Sequence, residues 1–339
     1  MSRSKSRASG RPTLAELARI AGVSPITASR ALRGVTSVDA ELARRVREAA
    51  AAIDYVANSA ARTLASARSD SVVVLIPSLS NLLFIETLEA IHAVLARRGL
   101  EMLIGNFHYS AEEELSLVRN YLAYQPRGLI LTGFDQAEPT RQLLAGSRVP
   151  CVHMMDLRRE PGIHCVGFSQ IEAGAAVARH LLERGRRRLA YVAAQLDVRT
   201  LERGDGFRRA LRQAGSAASC TELTTSEPSS VELGGRLFGQ LMRDHPSVDG
   251  IFFNNDDLAQ GALFEALRQG IDIPARVAVV GFNDLPISAH MVPRLSSVRT
   301  PRARVGEAAA QHLLRLIDRE SVGDPALDLG FELMVRESS

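Results

Sequence analysis

The chain has 339 residues, 46% of them hydrophobic, which is too long for one core, so two to three domains are expected. It contains no run of about 18 apolar residues, and no apolar signal core follows the basic start Met1-Ser2-Arg3-Ser4-Lys5-Ser6-Arg7. Neither a membrane span nor secretion is therefore expected, and the cytoplasm is the expected compartment. The formal charge of +3 hides an asymmetry: residues 1–70 hold 12 Lys and Arg against 6 Asp and Glu, and the remainder 29 against 32. A basic excess confined to one end is what phosphate binding requires. Lys5 is the only lysine, so arginine is a habit of this composition and no single Arg carries that argument. Cys151, Cys165 and Cys220 are odd in number and widely spaced, which reads as reduced thiols and not as a disulfide frame or metal site.

The first elements are two short helices. Thr13 is placed to cap the first, with Glu16 three residues on, and Leu14, Leu17, Ala18 and Ala21 share one face. Gly22 accepts the positive φ of a tight helix stop. Ser24 caps the second helix, which opens on Pro25, where no amide donor is missed. That helix, about 25–33, buries Ala28, Ala31 and Leu32 and turns Pro25, Ile26, Ser29 and Arg30 outward. A third helix, about 39–53, offers Leu42, Val46, Ala49, Ala50 and Ile53 to a small core. A capped helix pair with a turn has the shape of a unit that lays one helix in the DNA major groove.

From residue 70 the pattern changes to short apolar strands alternating with helices. Strands are expected at 72–76, 101–106, 128–132 and 149–155, then 188–193, 250–253 and 277–281. Helices are expected at 83–98, 111–124, 170–184, 199–214, 231–243 and 256–269. This alternation implies parallel sheets covered by helices, and its repetition implies two similar lobes. Ligands then belong at the carboxyl ends of the strands, between the lobes. Those ends carry 77–81, 106–109, 132–134, Asp156, 168–169, 197–203, 254–257 and 281–284, rich in Asn, Asp, Ser and Arg with aromatic rings between them. Polyols and sugars need that mixture, because hydroxyls want paired donors and acceptors while C–H faces lie on rings.

The run Thr13 to Arg30, with Tyr55 and Asn58-Ser59-Ala60-Ala61-Arg62-Thr63-Leu64-Ala65, resembles the head of the LacI/GalR repressors. The body resembles that family's ligand domain, which is similar to periplasmic sugar-binding proteins. The resemblance covers essentially the whole chain. It implies a helix-turn-helix head at 1–57, a hinge at 58–69 and a ligand-binding and dimerisation domain at 70–339. The N-lobe would be about 70–168 and 298–325, the C-lobe about 169–297 and 326–339. Pro25, Ile26 and Arg30 would read bases, and Thr27 and Ser29 would face phosphates, with Thr13 and Ser24 alongside. Asn58, Ala61 and Leu64 would make the hinge, and Leu64 would wedge into the minor groove.

In the body, Arg203, three before Gly206-Phe207, matches the family's ligand-gripping arginine. Asn255-Asp256 matches its Asn-Asp motif and Phe168 a pocket wall, while Asn283 stands where many members have an aspartate. The expected effector contacts are Ser80, Asn81, Phe84, Thr132, Asp156, Phe168, Arg199, Arg203, Asn255, Asp257 and Asn283. Losing a negative charge at Asn283 favours an anionic ligand, with Arg203 able to pair with a carboxylate. The wording of 77–81, 154–156 with 166–168, 254–259 and 327–331 resembles the gluconate and 2-ketogluconate repressor subgroup. The resemblance thus implies a homodimeric repressor of double-stranded operator DNA, controlled by a small sugar-acid effector, with no membrane partner.

Other functions lack their motifs. No G-x-G-x-x-G, Walker or H-E-x-x-H pattern exists, so neither cofactor nor metal is expected. Asp256-Asp257 at a helix start points in two directions and reads as a cap plus one ligand contact. A sugar-acid enzyme would not need the head, and a transport binding protein would carry a signal peptide.

Overall fold

The computed structural model describes residues 12–32, 35, 37–56, 69–215 and 219–339. The chain divides into two compact units, Met1–Ser69 and Asp70–Ser339.

In the first unit, α1 (Leu14–Ala21) starts at Thr13, whose Oγ1 accepts the Glu16 N–H at 3.2 Å. It stops at Gly22, φ 65°, where a Cβ would lie 2.8 Å from Arg45 Nη2. That nitrogen donates to the Ala21 carbonyl at 2.7 Å, so the third helix pins the turn. α2 (Pro25–Leu32) follows, then α3 (Ala40–Ala52), whose cap Asp39 accepts the N–H groups of Glu41 and Leu42. Leu17, Ala18, Ala21, Ala28, Ala31, Val46 and Ala49 form the core. Most of these are alanines, which let the helices approach closely but bury little apolar area.

The second unit is built from βα repeats. β1 (Ser71–Ile76) is buried along its whole length, as a strand with helices on both faces must be. The first series continues through α4 (Leu83–Arg97), β2 (Glu101–Asn106), α5 (Ala111–Leu122), β3 (Gly128–Thr132), α6 (Glu138–Ser147), β4 (Cys151–Met154) and β5 (Cys165–Gly167). The second comprises α7 (Gln170–Glu183), β6 (Arg188–Ala194), α8 (Val198–Gln213), β7 (Ser219–Thr225), α9 (Val231–Asp244), β8 (Gly250–Phe253), α10 (Asp256–Gln269), β9 (Ala278–Asn283) and β10 (Ser296–Arg299). α11 (Arg302–Asp318), β11 (Ala326–Asp328) and β12 (Glu332–Met334) complete the chain.

Two six-stranded sheets result, in the orders β11-β5-β4-β3-β1-β2 and β12-β10-β9-β8-β6-β7. Every pairing is parallel except β10 with β12. Alternate residues of β1 feed opposite cores. Val72, Val74 and Ile76 meet Ile91 and Leu95 of α4 and Val305 and Leu313 of α11, while Val73 and Leu75 meet Val118 of α5. The parallel strands aim their carboxyl ends, and the loops after them, at one side of each sheet.

Two boundaries differ from the expectation. The expected second lobe includes 326–339, and its β12 does pair with β10 there, but β11 pairs with β5 of the first sheet, with Leu327 opposite Val166. Ala326 is buried against Cys165 and Phe134 there. Residues 298–299 were assigned to the first lobe, yet they continue β10 beside Phe282 and Asn283. In both places a short strand carries no periodic signal, and sheet-edge hydrogen bonds decide its lobe. α6, β7 and α11 are further elements beyond those expected from the sequence pattern.

One close approach positions the site. A Cβ on Gly174 of α7 would lie 2.0 Å from the Arg203 carbonyl, and one on Gly206 of α8 1.9 Å from the Ile171 carbonyl. α8 therefore rests on α7 backbone to backbone, which sets the height of Arg199 and Arg203 over the second sheet.

Candidate functional site

On α2 of the head, the Ser24 hydroxyl accepts the Thr27 N–H at 3.1 Å and lies 2.9 Å from Thr27 Oγ1, tying the first turn. Pro25 and Arg30 are exposed and Ile26 is 67% exposed, so this face is free of the head's own core. Thr27 and Ser29 are half-buried beside it. Asn58, Ala61 and Leu64 lie outside the described residues.

In the second unit, a cavity lies at the carboxyl ends of the strands, with about 40 Å³ of free space. The first lobe contributes Asn81, Leu83, Phe84, Tyr109 and Met155 to its wall; the second contributes Gln195, Asp197, Arg199, Thr200, Arg203, Asn254, Asn255, Phe282 and Asn283. Phe168 and Gln170 line it where the chain crosses between lobes.

Its charges sit on the first turns of α8. Asp197 caps this helix, accepting the Thr200 N–H at 2.7 Å, and its Oδ2 lies 2.5 Å from Arg199 Nη2. Asp135, from the first lobe, accepts the Val198 N–H at 3.2 Å and approaches Arg199 Nη2 at 3.9 Å. Arg199 Nε is buried without a hydrogen-bond partner among the described residues. Burial works against the Arg199 charge, but Asp197 and Asp135 outweigh it and hold its pKa above the ordinary value. Burial likewise opposes the Asp197 carboxylate, and Arg199 and Arg203 overcome it, so its pKa falls.

Arg203, one turn further on, is held from three sides. Its Nε donates to Gln170 Oε1 at 2.7 Å, its Nη1 to the Asn254 carbonyl at 2.6 Å, and its guanidinium stacks 4.0 Å over the Phe282 ring. Gln170 is fixed in turn by donating to the Met155 carbonyl at 2.8 Å. Arg203 Nη2 has no hydrogen-bond partner among the described residues. Burial lowers the Arg203 pKa, but a guanidinium stays charged at neutral pH. The lining holds two guanidiniums and one carboxylate, but Asp135 also faces Arg199, so Arg203 is the guanidinium with no carboxylate beside it among the described residues.

Asn255 caps α10 by accepting the Leu258 N–H at 3.0 Å, and its amide donates to Ser229 Oγ at 2.7 Å. Asn283 has φ 105°, a region that a residue with a side chain seldom occupies, and its carbonyl accepts from Arg302 Nη1.

Residues 13–58 match the model for bacterial regulatory proteins of the lacI family, and residues 178–339 match a periplasmic binding protein-like domain. Over 333 residues, 98% of this chain and 97% of the relative, it is 66% identical to the HTH-type transcriptional regulator GntR of Pseudomonas aeruginosa. The chain belongs to the LacI family of bacterial regulators. It is 36% identical to the GntR of Escherichia coli strain K12, covering 95% of this chain and 97% of that one. The crystal structure of a LacI-family transcriptional regulator from Silicibacter pomeroyi matches with a TM-score of 0.89 at 31% identity, covering 96% of this chain and 99% of that one. As a LacI-family member, it is a DNA-binding transcriptional repressor.

Of the effector contacts expected for this LacI-family chain, Asn81, Phe84, Phe168, Arg199, Arg203, Asn255 and Asn283 line the cavity. Ser80, Thr132, Asp156 and Asp257 do not. Ser80 is exposed, with its hydroxyl 3.0 Å from that of Ser78. Thr132 donates to the Leu75 carbonyl at 2.9 Å inside the first sheet. Asp156 is buried and accepts the adjacent Leu157 N–H at 2.8 Å, and burial pushes its pKa up to about 6. Asp257 is half-buried, its pKa raised by burial. Tyr109, Gln170, Gln195 and Asp197 also line the wall and were not expected as contacts. Tyr109 and Asp197 stand at strand ends and could have been found by position. Gln170 carries no such signal, because it reads as an ordinary first residue of a helix.

Proposed function

We propose that this repressor leaves a palindromic operator when a sugar acid of the gluconate or 2-ketogluconate class binds between its lobes. One observation carries the reading: Arg203, buried in the cavity wall, has no carboxylate beside it, and its Nη2 has no hydrogen-bond partner among the described residues. A carboxylate would satisfy Arg203, since charge-assisted bonds to guanidinium are the strong ones. Gln195, Asn255 and Asn283 supply donors and acceptors for hydroxyls, and Phe84, Phe168 and Phe282 supply apolar surface for C–H faces. The resemblance to the gluconate subgroup supports the same ligand class. Free space of about 40 Å³ is far below the roughly 300 Å³ of a ligand pocket, so the lobes part to admit the effector and close on it.

In this reading the protein works in the cytoplasm as a homodimer joined through its ligand-binding lobes, presenting two heads to two half-sites. Arg30 reads a guanine, and Pro25 and Ile26 offer apolar contact to a thymine methyl. Thr13, Ser24, Thr27 and Ser29 stand toward the backbone. Asn58, Ala61 and Leu64 form a hinge whose leucine wedges into the minor groove, and effector binding withdraws it. Coupling of about 1–3 kcal/mol between the sites suffices for such a switch.

The test is titration of gluconate and 2-ketogluconate into the operator complex at fixed salt, expecting release. Tighter DNA binding would make the acid a corepressor. A response to neutral sugars alone would overturn the acid class, and turnover of the acid would point to an enzyme.

A further inference from the structure

The first lobe's share of the cavity rests on the turn at residues 106–110. Between β2 and α5, His108 and Tyr109 both adopt left-handed backbone angles, φ 48° and 57°. That conformation disfavours a residue with a side chain, so its surroundings must impose it. Here hydrogen bonds impose it. The Ser110 N–H donates to the Phe107 carbonyl at 2.7 Å, Phe107 is buried, and Ser110 caps α5 by accepting the Glu113 N–H at 3.2 Å. The His108 ring is bracketed, with Nδ1 2.7 Å from Glu113 Oε2 and Nε2 2.8 Å from Asn106 Nδ2. Asn106 Oδ1 accepts the His108 N–H at 3.4 Å. The set is consistent when Nδ1 donates to the carboxylate and Nε2 accepts from the amide. His108 itself stays exposed, while the turn delivers Tyr109 into the cavity near Asn81 and Arg199.

Resting on the effector reading above, the geometry points to Tyr109 as a specificity-determining residue, its phenol donating to the carboxylate end of the sugar acid. Arg203 meets that carboxylate from the second lobe and Tyr109 from the first. A donor on the opposite lobe engages only when the lobes close, so it converts recognition of the acid group into closure. Burial raises the Tyr109 pKa, which keeps the phenol a protonated donor at neutral pH. The clamp of His108 between Asn106 and Glu113 is the positioning device, and it acts through Tyr109.

Calorimetric titration of gluconate and of 2-ketogluconate into the full-length protein tests this, with operator affinity measured in parallel. Tyr109→Phe keeps the ring, and it is expected to weaken acid binding about tenfold or more, the loss of a hydrogen bond to a charged group. Operator affinity without acid is measured on the same variant, and a loss there as large as the loss of acid binding would make the effect structural and overturn the role of Tyr109. His108→Ala should weaken acid binding in the wild-type background but add nothing in the Tyr109→Phe background; a purely structural effect would lower both. Wild-type affinity in Tyr109→Phe, alongside lost binding in Arg203→Ala, would overturn the role of Tyr109 and leave the effector reading standing. A wild-type protein that binds neither acid would overturn both.

Discussion

In the head, each cap joins residues two or three apart: Thr13 to Glu16, Ser24 to Thr27, Asp39 to Glu41 and Leu42. In the cleft, the two bonds that hold Arg203 come from Gln170 and Asn254, 33 and 51 residues away. The head's reading face projects from a small core that does not use it, so Ile26 or Arg30 can change without disturbing Leu17 or Val46. The cleft's side chains do two things at once. Asp197 caps α8 and holds Arg199, and Arg203 bridges the crossover residue Gln170 to the end of β8. Changes there are expected to alter ligand binding and lobe geometry together.

The largest expected effect tests this contrast at its centre. Arg203→Ala removes a charged partner of the effector and two protein bonds, and should weaken sugar-acid binding by about 100-fold or more. Operator binding in the absence of effector should survive, as gel shift with and without the acid would show. A normal response to the acid would remove Arg203 from the pocket.

Gly206→Ala comes next. The new methyl meets the Ile171 carbonyl, and an overpacked core typically costs about 1–3 kcal/mol. Thermal unfolding should show the loss in the ligand unit, with effector affinity falling as α8 lifts from α7. If the stability is lost but the affinity is kept, the height of α8 does not govern the arginines.

Asp156 separates a buried carboxyl near the cleft from a cavity-lining one. An unfolded aspartate loses its proton near about 3.9, whereas burial holds the folded Asp156 pKa up to about 6. Between these values the folded state binds more protons, so this group makes stability fall as pH rises, by up to about 1.4 kcal/mol per pH unit. Asp156→Asn should flatten that part of the slope in denaturant titrations and leave effector affinity unchanged. An unaltered slope would assign the proton elsewhere.

The smallest effect belongs to the head. Thr13→Ala removes one cap bond and should cost about 1 kcal/mol of head stability. Weaker operator binding with an unchanged sugar-acid isotherm is the expected outcome, and a shifted isotherm would contradict the independence of the two sites in the free protein.

Much of this organisation was legible in the chain. The α1–α2 pair follows from Thr13, Gly22, Ser24 and Pro25, each acting within one helical turn. The βα repeats follow from runs such as 72–76 and 128–132. Arg199, Arg203 and Asn255 were legible as strand-end polar residues where a parallel sheet puts its ligands. Gln170 was not, because its role depends on Met155 and Arg203 meeting it across the crossover. Thr132 and Asp156 occupy strand ends too, but one bonds into its own sheet and the other is buried beside the cavity.

What the amino-acid order determined alone is whatever acts over a few residues: the caps and turns of the head, the helical and strand periods, and the concentration of positive charge in residues 1–70. Only the tertiary structure decided that β11 belongs to the first lobe, that α8 lies against α7 through Gly174 and Gly206, and that Tyr109 lines the same cavity as Arg199. Those outcomes depend on hydrogen bonds and close contacts between segments far apart in the chain, which no local period records.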